Sequence, residues 1–95
     1  MPDRDHHVRR ARATLDAWSA EIGRQEAAMR TANDEGNLEW QTRVESMRSR
    51  RGEAQDALAH LEAADPHEAD AAVERFEREW GRISGGFQEA SGKVL

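Results

Sequence analysis

Apolar residues return along this chain at alternating steps of three and four. The first run is Val8, Ala11, Leu15, Trp18 and Ile22, then polar Gln25, then Met29 and Ala32. The second is Trp40, Val44 and Met47, then Arg51, then Ala54, Leu58 and Leu61. The third is Ala69, Val73, Phe76, Trp80, Ile83, Phe87 and Ala90. This alternation keeps one side of an α-helix apolar, and so narrow a stripe needs partner helices to cover it. The pattern predicts an all-α fold. Its core and interface positions are Val8, Leu15, Trp18, Ile22, Met29, Trp40, Val44, Met47, Leu58, Leu61, Val73, Phe76, Trp80, Ile83 and Phe87.

One boundary is written plainly. Asp65 stands where an N-cap belongs, Pro66 at the first helical position and Glu68 at the third, which is a capping-box arrangement. A helix ends near Ala64 and another begins at Pro66, running at least to Ile83. Gly85 and Gly86 weaken it by about 1 kcal/mol each, and the tail SGKVL is expected to fray. Leu61 and Val73 are out of phase, as a true break requires.

Residues 33–37, Asn-Asp-Glu-Gly-Asn, read two ways. Locally they form a turn, with Gly36 a left-handed cap and Asn37 the next N-cap. Globally they continue a helix, because Met29 and Trp40 are eleven residues apart, three turns at about 3.67 residues per turn. Continuity gives a long, kinked helix over about 5–63, roughly 88 Å at 1.5 Å per residue. A shorter amphipathic helix over about 66–90 then folds back. The local reading gives an antiparallel three-helix bundle instead. Asp5–Arg9, Glu26–Arg30, Glu39–Arg43 and Glu74–Arg78 are acid-first pairs four apart, suited to helix surfaces.

Composition narrows the function. The 95 residues make a single helical domain, of which 37% are hydrophobic and 35% charged. A thin core follows, and oligomerisation is a way to enlarge it. A net charge of −5 argues against nucleic acid, which demands a basic face. With no cysteine, disulfides and thiolate chemistry are excluded. The opening MPDRDHHVRR has no apolar core of a secretory signal and no run reaches membrane-spanning length, so the cytoplasm is the expected compartment.

No chemistry-bearing constellation accompanies the stripe. Tyrosine is absent, and no glycine-rich strand-to-helix loop is present. His6 and His7 point to different helix faces. His60 and His67 flank the break without the Glu-x-x-His spacing of a bundle metal site. Neither metal nor cofactor is expected, and an enzyme is not. The runs Arg9, Arg10, Arg12 and Arg43, Arg48, Arg50, Arg51 read as solvated faces laced with acids. Arg51 and Gln25 are polar seam positions that snorkel or set register. The third helix, with Phe76, Trp80 and Phe87 beside Arg75, Arg78 and Arg82, offers an alternative role in coating a membrane or granule surface. Its excess of acids opposes anionic lipid.

Arg4-Asp5 near the start, Leu15-Asp16-Ala17-Trp18-Ser19-Ala20-Glu21-Ile22, then Glu39-Trp40-Gln41, Arg48-Ser49-Arg50-Arg51-Gly52-Glu53-Ala54-Gln55 and the late Trp80 carry a likeness. The chain resembles a family of small bacterial coiled-coil proteins connected with stress response. The resemblance spans nearly the whole chain, and its most specific part is the block around Trp18. It implies an all-helical, non-enzymatic protein with no catalytic residues to carry over. It also implies a long first helix, from which Gly36 and Asn37 depart. The expected function is a stress-related interaction module that packs against its own copies or a helical partner.

Overall fold

The computed structural model describes residues 4–31 and 34–92, and the side chains of all of these except 34–37. Three α-helices account for most of them: α1 (Arg4–Thr31), α2 (Asp34–Ala63) and α3 (Ala69–Ser91), with one 3₁₀ turn at Pro66–Glu68. No strand occurs among the described residues. Asp5 in the first turn of α1 and Arg30 in its last turn both suit the helix dipole.

The helices pack as a bundle. Arg4 Nη1 donates to the Ala64 carbonyl at 2.7 Å, and Arg12 pairs with Glu62. Further along, Arg51 Nη1 donates to Ser19 Oγ at 3.2 Å and Arg48 pairs with Glu26. Partner numbers fall along α2 as they rise along α1, so the two helices are antiparallel. α3 runs in the same sense as α1, with His7 against Glu77, Trp18 against Trp80 and Phe87, and Gln25 against Ser91. The longest dimension is 53 Å. The chain therefore adopts the antiparallel bundle, not the long first helix of roughly 88 Å that the stripe's continuity suggested.

Residues 34–37, expected as part of a turn, are helical. Asn33 is outside the described residues. Gly36 and Asn37 are poor helix formers placed in a first turn, where the amides have no intrahelical partner to lose. The in-phase spacing of Met29 and Trp40 is thus coincidence: across a hairpin the stripe restarts.

The second break falls where the sequence predicts, but Pro66 opens a 3₁₀ turn, not the α-helix itself, and Glu68 makes no side-chain cap bond. Asp65 takes extended backbone angles, φ −61° and ψ 139°, and its Oδ1 accepts from the His67 amide at 2.9 Å. The chain makes the 3₁₀ turn before α3 starts at Ala69. α3 ends on Gly92, at φ 73°, whose amide donates to the Gln88 carbonyl at 3.0 Å. Of the tail SGKVL, expected to fray, Ser91 ends α3 and is buried and Gly92 caps it, while residues 93–95 lie outside the described residues. Left-handed geometry at Gly92 is the reason for glycine there.

The core joins all three helices. Trp18, 1% exposed, is its centre. Its ring stacks on Phe87 at 4.2 Å and on Trp80 at 5.4 Å, and Trp80 stacks on Phe76 at 5.1 Å. Leu15 and Ile22 flank it on α1, while α2 brings Val44, Met47, Leu58 and Leu61. Stacked aromatics add packing energy beyond the area they bury.

Gly81 and Gly85 face open space, where an added Cβ meets nothing within 4 Å. Each substitution, Gly81→Ala or Gly85→Ala, is expected to raise bundle stability by up to about 1 kcal/mol in urea melts. A loss of stability at either would show that the glycine has a contact role in the bundle. Gly86 differs: its Cβ would lie 2.7 Å from Arg50 Nε.

Candidate interaction surface

Most of the predicted seam is spent inside the chain. Leu15, Trp18, Ile22, Val44, Met47, Leu58, Leu61, Phe76, Ile83 and Phe87 are buried, and half-buried Val8, Val73 and Trp80 pack against them. Met29 and Trp40 are half-buried near the hairpin end and stand outside that core. Leu38, 68% exposed, is on the second turn of α2.

What remains uncovered follows from how the helices are arranged. α2 lies along both neighbours, but α1 and α3 touch each other far less. Their shared edge opens into a groove of about 310 Å³. His7, Arg10, Ala11 and Thr14 of α1 form one wall, and Phe76, Glu77, Trp80 and Gly81 of α3 form the other. His7 spans the groove, with Nε2 3.1 Å from Glu77 Oε1 and its ring edge-on to Phe76 at 6.3 Å. The floor is aromatic and the rims carry both signs of charge.

A second cavity, about 290 Å³, sits near the hairpin end where α3 stops. Glu21, Arg24, Gln25, Ala28, Trp40, Arg43, Ser91 and Gly92 line it. Here sequence reasoning missed a residue. Glu21, one place before stripe position Ile22, is 0% exposed. Arg24 reaches back one turn, donating to Glu21 Oε2 from Nε at 3.0 Å and from Nη2 at 2.7 Å. Gln25 Nε2 donates to Glu21 Oε1 at 3.2 Å and to the Ser91 carbonyl at 3.0 Å. The polar seam position Gln25 thus ties the end of α3 to α1. Its own Oε1 is buried and meets no donor among the described residues. An unmet acceptor in such a place costs about 1–3 kcal/mol. The signal available beforehand was Gln25 itself, a buried amide needing partners of both kinds.

The surface charges settle differently from expectation. Among the described residues none of the pairs Asp5–Arg9, Glu26–Arg30, Glu39–Arg43 and Glu74–Arg78 forms. Glu26 and Glu53 instead join arginines of neighbouring helices, Arg48 and Arg82. Arg43 lays its guanidinium 4.7 Å from the centre of the Trp40 ring. Hydrophobic packing fixes which faces meet, and long side chains then take the nearest opposite charge.

No group of three or more His, Asp or Glu side chains gathers to hold a metal among the described residues. His60 and His67 are both exposed on either side of the break. Nor is any described helix long and apolar enough to cross a membrane. Fold and surface together define an all-helical bundle with a groove along the edge between its first and third helices. No family model, curated protein or solved structure matches the chain.

Proposed function

We propose that this protein is a non-catalytic interaction module, of bacterial stress response by its resemblance and cytoplasmic, that associates with a second copy through the α1–α3 groove. One observation carries the reading: of the three helix pairs, α1 and α3 touch each other least, and the groove along their edge is floored by half-buried Trp80. Aromatic residues in such a place are the usual anchors of interfaces. A two-fold arrangement is supported by charge, because it sets Arg10 of one copy toward Glu77 of the other.

Sedimentation of the intact protein over a wide concentration range tests it. The wild type is expected to reach dimer mass. Gly81→Arg, which fills the groove from an exposed position with open space around it, is expected to remain monomeric with unchanged helicity. A wild type that stays monomeric throughout, or a Gly81→Arg protein that still dimerises, contradicts the proposal. The alternative of coating a membrane or granule requires α3 to leave the bundle, since Phe76, Ile83 and Phe87 are already buried.

A further inference from the structure

We propose, building on the α1–α3 dimer above, that His7 makes this association acid-sensitive: a proton on each imidazole parts the two copies, and neutral imidazoles let them join.

The groove holds few charges, and their balance decides the outcome. Among the described residues that line it, Arg10 is cationic, Glu77 is anionic and His7 is the group able to change. Between about pH 5.5 and 8 arginine and glutamate ordinarily keep their charges, while imidazole gains or loses one. His7 is held in place there. Its side chain is 20% exposed, its Nε2 lies 3.1 Å from Glu77 Oε1, and its ring stands edge-on to Phe76.

The remaining charged groups nearby are turned elsewhere. His6, 6.0 Å away ring to ring, is exposed. Arg4, one turn earlier on α1, donates to the Ala64 carbonyl. Glu74 and Arg78 of α3 are exposed and outside the lining, and α2 supplies none of the lining.

With His7 neutral, its Nε2–H donates to Glu77, and each copy brings one positive and one negative charge to the groove. Arg10 and Glu77 then pair crosswise in the two-fold dimer with no charge left over. With His7 protonated, each copy brings two positive charges and one negative. Dimerisation must then cover two excess like charges over the aromatic floor of Phe76 and Trp80, where water no longer offsets them. The separate chain bears no such cost, because Glu77 is 57% exposed and the pair stays in water. Protons therefore bind the single chain better than the dimer, and by linkage acid lowers association.

Sedimentation equilibrium of the intact protein at about pH 7.5 and about pH 5.5, with circular dichroism at both, tests this. The dimer dissociation constant is expected to rise roughly tenfold or more at the lower pH, with helicity unchanged. His7→Gln, neutral at both, is expected to dimerise equally at both. His6→Gln is expected to keep the wild-type response. A wild type that is monomeric at both pH values removes the dimer and the role of His7 with it. A dimer whose dissociation constant ignores pH overturns the role of His7 and leaves the dimer standing. So does a response retained in His7→Gln, or a loss of mass that comes with a loss of helicity.

Discussion

Trp18→Ala is expected to cost roughly 3–5 kcal/mol, as truncation of a large core aromatic generally does. The reason is positional. The indole is clamped between Phe87 at 4.2 Å and Trp80 at 5.4 Å, with neighbours from the other helices around it. Removing it deprives all three helices of a shared contact, and the helical frame resists collapsing into the space. Small domains carry only about 5–15 kcal/mol of stability, and those of this size fall toward the low end. Thermal melting followed by circular dichroism should show the midpoint falling by roughly 15 °C or more, or no cooperative transition. Trp40→Ala is the control. Trp40 is half-buried and outside the core, so its loss should move the midpoint much less. Equal effects at the two positions would mean that the aromatic column is not the centre of the bundle.

Those two tryptophans also show what a periodic pattern can express. Both fall on the stripe, and the stripe fixes which side of a helix is apolar. It does not say how far along the helix a partner extends. Trp18 lies midway along α1, where α2 and α3 both reach it, whereas Trp40 lies where the bundle ends. The helices, the Asp65–Pro66 start and the core were legible because each depends on residues close in sequence. The choice between a long rod and a hairpin was not, because it turns on whether α1 finds more apolar surface on α2 or on another chain. That is a tertiary comparison, and local turn chemistry around Gly36 is the only trace of it in the sequence. α2 adds a further complication. It is covered on two sides, so Ala57 and Leu58 are buried next to each other and the stripe is wider than a coiled-coil seam.

The candidate surfaces were legible in still smaller part. The open α1–α3 edge is set by packing, and nothing in the spacing of Ala11 or Gly81 marks it. The cavity at the hairpin end had one marker, the polar seam position Gln25, and its partner was disguised. Glu21 follows Ala20 in a stretch whose charges look like solvent-facing decoration. Its burial arises because α3 ends beside it, with the Ser91 carbonyl accepting from the same Gln25 amide that serves Glu21.

A double-mutant cycle at Glu21 and Gln25 is expected to reveal strong coupling. Glu21 is 0% exposed and Gln25 4%, so neither has water to fall back on. Gln25→Leu removes the donor to Glu21 Oε1 and the tie to Ser91, leaving a buried carboxylate with less support. The expected loss is about 2–4 kcal/mol, within the range for breaking buried charged networks. Glu21→Leu deprives Gln25 Nε2 of one acceptor while Arg24, whose side chain is 61% exposed, turns to solvent. Its cost should be smaller, about 1–3 kcal/mol. Combining the changes replaces the polar pair by apolar groups of similar size, which is often neutral. The double variant should therefore lose less than the sum, with a coupling energy of about 1–3 kcal/mol in urea unfolding. Strict additivity would show that the two side chains act separately, and that the end of α3 is held by its apolar residues, Ile83 and Phe87, alone.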